Sequence, residues 1–228
     1  MFPAIGRGAR PPDVANQVTC QSTDLRVRAA GGHRHSGYRG GVSSCPDAPL
    51  PGDDVVPRPD LVMDRVLELD APRHAVWPWL VQLGKSRAGW YLPRSVEIFV
   101  PPSRRALRRL DGRWLDLAVG DVIPDWGPGA PQFEVLEIEA PSHLVYWSRR
   151  PRTPRRGHHR PPLTLTWALA LTDLTPPRSR LRLRLRINLG HHAGPMAKYG
   201  GGFADWATIE LMGRGLNERL RESAPPSL

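Results

Sequence analysis

The sequence predicts an α+β domain: an antiparallel sheet packed on one long C-terminal helix, with two short helices after the first strand. Three patterns predict it. Leu163, Leu165, Trp167, Leu169 and Leu171 alternate with Thr164, Thr166, Ala168 and Ala170, and Leu181, Leu183, Leu185 and Ile187 alternate with four arginines. A period of two gives each strand one buried and one wet face, the character of antiparallel sheets. Over 203–221 the period lengthens, and Trp206, Ile209, Met212, Gly213, Leu216 and Leu220 share the stripe of an amphipathic helix. A shorter helix is marked between 72 and 83, where Val76, Leu80 and Leu83 recur beside Trp79.

Residues 1–57 carry Gly, Pro, Ser and Arg without periodicity, so they bury too little apolar surface to offset their ordering entropy. They are expected to be a disordered leader that contributes nothing to the fold. The folded domain is expected at 58–222, with a disordered tail at 223–228. Val62 to Leu69 reads as the first strand. Pro72 suits the first position of the following helix, with a polar residue before it. Pro78 removes one backbone donor inside that helix, and Gly84 ends it before the turn Arg87-Ala88-Gly89-Trp90-Tyr91. A second helix is expected over 94–110, interrupted at Pro101-Pro102, with Arg104, Arg105, Arg108 and Arg109 on its later turn. Strands come next, from Gly120 to Pro124, Phe133 to Ile138 and Leu144 to Ser148, the last two joined across Ala140-Pro141-Ser142. In the terminal helix Asp205 and Arg219 with Arg221 suit the dipole. Gly213 and Gly215 each cost about 1 kcal/mol against Ala; Gly213 lies on the apolar stripe and would allow a close approach.

The net charge is +10, and all but two of the 32 basic residues are Arg, Lys85 and Lys198 being the exceptions. With Ala, Gly and Pro also abundant, this is the composition of a GC-rich genome. Binding to RNA or anionic vesicles is therefore expected to be weak and lost at physiological salt. The amino terminus has no apolar run, and no segment reaches the ~18 apolar residues of a membrane span. Cys20 and Cys45 lie in the leader and read as free thiols. The chain reads as cytoplasmic.

Four blocks resemble bacterial members of the SRPBCC superfamily, which includes START-related lipid carriers, birch-pollen-allergen-like proteins and polyketide cyclases. They are D-A-P-R-H-A-V-W-P-W-L-V-Q-L-G-K-S-R-A-G-W-Y (70–91), L-A-V-G-D-V-I-P (117–124), F-E-V-L-E-I-E-A-P-S-H-L-V-Y (133–146) and A-D-W-A-T-I-E-L-M-G-R-G-L-N-E-R (204–219). The resemblance implies the helix-grip fold, in which a curved sheet wraps the last helix around an internal cavity. One departure is Leu92-Pro93-Arg94, where many relatives carry a Ser-Tyr-Asp-like sequence after the G-W-Y turn.

Such a cavity would be lined by inward strand positions and the underside of the last helix. The candidates are Trp79, Trp90, Tyr91, Phe133, Tyr146, Leu165, Trp167, Leu169, Leu183, Leu185, Trp206, Ile209 and Met212. Apolar walls with few polar groups suit a small molecule, so the expected function is binding of an apolar or aromatic, lipid- or polyketide-like ligand. A cyclase or dehydratase in the same cavity is the alternative, with Tyr146, Glu137 and His143 as acid/base candidates beside Asp125 and Glu210. A third reading is an Arg-rich binder of anionic surfaces, built from the loop 149–162 and the arginine face of the last strand. That loop lacks the aromatics that stack bases, which disfavours nucleic acid. The adjacent pairs His158-His159 and His191-His192 lack partners at ligand spacing, so no metal is expected. No phosphate-binding or dinucleotide motif occurs, so no cofactor is expected; the glycines 200–202 read as a loop.

Overall fold

The computed structural model describes residues 48–126, 129–151, 162–189 and 195–224, with side chains of the last stretch from Ala207 onward. Its elements are β1 (Leu61–Leu69), α1 (Arg73–Gln82), α2 (Arg94–Glu97), β2 (Val122–Pro124), β3 (Gln132–Glu139), β4 (His143–Arg150), β5 (Leu163–Asp173), β6 (Ser179–Asn188) and α3 (Pro195–Ser223). The strands form one antiparallel sheet in the order β1-β6-β5-β4-β3-β2. Ile209, Met212, Leu216 and Leu220 of α3 enter the same core as Leu67 and Leu69 of β1, Leu181 and Leu183 of β6, and Val76, Trp79 and Leu80 of α1. This is the helix-grip layout.

Register comes from the alternation. Tyr146 faces Trp167 and Trp167 faces Leu185, while Leu144, Leu169 and Leu183 form the next inward row. In β3 the apolar series Phe133, Val135, Ile138 loses phase by one residue. A bulge between Val135 and Glu137 absorbs the slip, so Val135 and Ile138 both lie opposite inward residues, Tyr146 and Leu144.

Several expectations are corrected. The helix expected over 94–110 is only the four residues of α2 and a 3-10 turn at Pro102–Arg104. The proline pair breaks it, and ion pairs of Arg108 and Arg219 tie this segment to α3. Pro72 stands before α1 as its cap position, not inside it. The first helical N–H, of Arg73, is taken by the Asp173 carboxylate from the end of β5. The glycines 200–202 fall inside α3, which begins eight residues before its expected start.

The leader boundary also moves. Residues 48–57 lie on the outer face of the sheet, where Val56 is 3% exposed and Gly52 abuts the Val145 side chain. The same face carries the arginines of β6, which are not wet. Arg184, 4% exposed, bonds Asp53 at 2.5 Å and Asp64 at 2.6 Å; Arg182 reaches Asp64 at 2.8 Å, and Arg180 stands 3.9 Å from Glu68. The partners are far apart in sequence, which is why β6 alone reads as solvated. Residues 1–47, with Cys20 and Cys45, lie outside the described residues, as do 225–228 of the tail. A chain beginning at Pro57 is expected to melt at least ~5 °C below one beginning at Ala48, since it leaves Arg184 and Arg186 without Asp53 and uncovers Val145. Thermal melts of the two check this, and equal midpoints would show that this strap, residues 48–57, adds nothing to the fold.

These ion pairs predict an acid limb. Burial alone would raise the Asp64 carboxyl, but hydrogen bonds from Arg182 and Arg184 outweigh it and hold it below its ordinary value. The hydrogen bond from Arg108 draws Glu222 down to about 2. Both folded-state values lie below the unfolded ones, so this stability is present above the unfolded values and is lost as pH falls through the folded ones. Unfolding monitored from pH 6 down to about 2 should show the loss begin near the ordinary carboxylate range, and Asp64→Asn should flatten it.

Candidate functional site

An opening of about 70 Å³ lies on the inward face between the α1–β2 connection and the centre of the sheet. It is lined by Leu83, Gly84, Trp90, Ile123, Pro124, Asp125, Trp126, Phe133, Tyr146 and Trp167. Gly84 closes α1 with a positive φ and bridges Gly89, a tight turn that delivers Trp90 to the sheet. Five rings touch in series. Trp126 meets Trp90 edge-on at 6.0 Å, Trp90 stacks on Trp167 at 6.0 Å, and Trp167 stacks on Tyr146 at 5.8 Å. Phe133 leans on both Tyr146 and Trp167.

The polar groups at this wall are few. Arg150 bonds the Asp125 carboxylate at 2.5 Å and sits over the Phe133 ring at 5.4 Å. Lys85 Nζ donates to the Asp125 carbonyl oxygen at 2.9 Å. The indole Nε1–H of Trp90 is buried and has no hydrogen-bond partner among the described residues, an arrangement that costs free energy unless an acceptor arrives. Burial pushes the Tyr146 phenol well above its usual range, a neighbouring Arg87 opposing it weakly. At neutral pH Tyr146 therefore keeps its proton. It can donate a hydrogen bond, and it is a poorer acid than a free phenol.

Of the expected lining residues, the fold brings together Trp90, Phe133, Tyr146 and Trp167. Trp79, Tyr91, Leu165, Leu169, Leu183, Ile209 and Met212 are buried, Leu185 is half-buried, and none of these eight lines the opening. Tyr91 is an anchor: its hydroxyl donates to the Trp79 carbonyl oxygen at 2.8 Å and accepts from Gln82 at 3.1 Å. The Trp206 side chain lies outside the described residues. Glu137 and His143 bond each other at 2.7 Å on the outer face of the sheet, the side opposite Tyr146. Glu210 is bonded to Arg214 along α3. Only Asp125 and Tyr146 among the acid/base candidates reach the opening. Trp126, Ile123 and Pro124 are not legible as lining in the sequence, because the segment around them is short and proline-rich; Ile123 lying opposite Phe133 is the pairing that turns it inward.

Among the described residues no cluster of His, Cys, Asp or Glu could hold a metal ion, and no helix is long and apolar enough to cross a membrane. His158-His159, His191-His192 and residues 152–161 of the arginine loop lie outside the described residues.

No protein-family model and no curated protein sequence matches the chain. Solved structures do. A START superfamily protein from Mycobacterium smegmatis is 12% identical, with 72% of this chain and 99% of that one covered and a TM-score of 0.41. A conserved protein from Geobacillus kaustophilus is 14% identical over 72% and 97% at a TM-score of 0.43. CalU16 from Micromonospora echinospora is 15% identical over 71% and 89% at 0.37. The helix-grip fold expected from the sequence stands on the strand order and on the packing of α3 against the sheet.

Proposed function

We propose that this domain binds a small molecule by inserting one apolar or aromatic group that carries an oxygen acceptor into the ring-lined opening. The observation that carries the reading is the wall itself: five aromatic rings in contact, with a buried, unpartnered indole N–H among them. Size limits the ligand. About 70 Å³ holds part of a ring or a small apolar group, whereas a multi-ring polyketide needs a pocket of roughly 300 Å³ or more. The remainder of a larger ligand would face outward past Trp126, which is 47% exposed.

Acetophenone and ethylbenzene are nearly equal in shape and differ in one oxygen. Acetophenone is expected to quench tryptophan emission saturably and to raise the melting temperature, because it binds the native state alone. Ethylbenzene should bind about 2–10-fold more weakly, the net worth of one hydrogen bond. Trp167→Leu should remove the response to both, while Trp147→Leu, on the outer face, should leave it. Equal loss in the two variants, or no saturable response, would end the proposal.

A further inference from the structure

We infer that the loop following α2 is an interfacial anchor for an anionic lipid surface. Phe99 is 83% exposed and its neighbour Ile98 is 65% exposed, more than any other large hydrophobic among the described residues. A lone exposed apolar side chain is ordinary; here two adjacent ones share a braced tip. The N–H of Phe99 donates to the Val96 carbonyl at 3.1 Å and that of Val100 to the Glu97 carbonyl at 3.0 Å, and Pro101 and Pro102 stiffen the exit. Arg105 fixes the tip from beside it, donating to the carbonyls of Val100 at 2.9 Å and Ile98 at 3.5 Å.

The charge pattern commits the partner. Carboxylates take up Arg73, Arg94, Arg108, Arg150, Arg184 and Arg219. Arg104 and Arg105 are exposed and make no ion pair among the described residues. Of the acids nearest in sequence, Glu97 is buried and bonded to both Arg108 and Arg219, and Asp111 is bonded to Arg113. One loop thus presents two apolar side chains beside two guanidinium groups that no carboxylate neutralises among the described residues. That is the chemistry of insertion at a headgroup boundary, with the side chains of Ile98 and Phe99 entering the acyl edge and the arginines meeting phosphate. Neither Ile98 nor Phe99 contributes to the aromatic opening, so this surface is independent of the ligand reading.

The test is cosedimentation of the full chain with phosphatidylcholine vesicles containing about 30% phosphatidylglycerol, and with pure phosphatidylcholine, at physiological salt. Binding is expected to the anionic vesicles, in place of the weak, salt-lost binding that composition alone predicts, because Ile98 and Phe99 add an apolar contact that salt does not screen. The pair Ile98→Ser with Phe99→Ser should weaken it at least about tenfold, and so should Arg104→Ser with Arg105→Ser, near the fivefold per arginine that anionic surfaces give. Val119→Ser, an exposed apolar position elsewhere, should leave binding unchanged. All these positions are exposed, and unchanged melting temperatures verify that the variants fold. The inference is overturned if the parent chain does not bind, or if Val119→Ser weakens binding as much as the Ile98/Phe99 pair. It is equally overturned if the Ile98/Phe99 pair has no effect, which leaves net charge as the cause, or acts only by abolishing self-association in light scattering.

Discussion

Replacing Arg219 with methionine is expected to cost about 3–5 kcal/mol, enough to unfold a domain of ordinary stability. Arg219 is fully buried under the α2 region and is the largest charged group in the core. Its guanidinium donates to Glu97 at 2.5 Å and to the carbonyls of Leu107, Leu92 and Gly215 at 2.8–2.9 Å, and it lies over the Tyr91 ring at 4.9 Å. Burial pulls its pKa down, opposed by the Glu97 carboxylate. Methionine fills much of the volume yet satisfies none of these acceptors, so buried carbonyls and one side of a buried carboxylate lose their donor. Segment 92–109, which has little regular structure, is held to α3 by this buried side chain and by the more exposed pairs of Arg94 and Arg108 with Glu218 and Glu222. Urea unfolding measures the loss. A change under about 1 kcal/mol would show that the segment is held by its other contacts.

Gly215→Ala and Gly213→Ala are expected to differ sharply although they sit two residues apart on one helix. A Cβ at Gly215 would stand 2.5 Å from the Leu92 carbonyl carbon and 2.7 Å from its oxygen. Those are backbone atoms, and Arg219 pins that same carbonyl, so nothing can yield. A loss of about 3 kcal/mol is expected from such overpacking. A Cβ at Gly213 meets the Leu67 methyl groups at 3.0 Å. These can turn aside, and the helix regains about 1 kcal/mol of propensity from alanine, so the net change should stay within ~1 kcal/mol. Thermal or urea melts of both variants decide it; equal effects would mean that the helix does not approach the Leu92 backbone this closely.

The physical reason some of this is legible in sequence is visible in β5 and β6. Their alternation encodes face directly, so the inward row of Leu183, Leu169 and Leu144 needs only the pairing of strands. The stripe of α3 is legible for the same reason. What period cannot encode is which partner a charged face meets. The arginines of β6 look solvated until Asp64 and Glu68 of β1, and Asp53 of the strap, are brought beside them. The strap itself has no period because it is neither strand nor helix. The opening is partly legible: Trp90, Phe133, Tyr146 and Trp167 are large inward or turn residues, and the fold gathers them. The expected lining extends too far along the sheet, because inward position identifies burial and not emptiness. Leu169, Leu183 and Met212 are inward and close-packed. Glu137 is displaced from the cavity by the bulge at its side, which reverses the face of every residue after it in β3.

Entry of an oxygen-bearing aromatic group into the five-ring wall, bonded to the Trp90 indole, is tested most directly by NMR. Eight tryptophans give eight indole N–H resonances, and Trp90→Phe assigns the one that matters. Titration with acetophenone is expected to move the Trp90 resonance downfield and saturably, with smaller saturable shifts at Trp126 and Trp167. Trp79 in the core and Trp147 on the outer face should stay in place. If no indole shifts saturably, or if Trp147 moves while Trp90 does not, the opening is not the binding site.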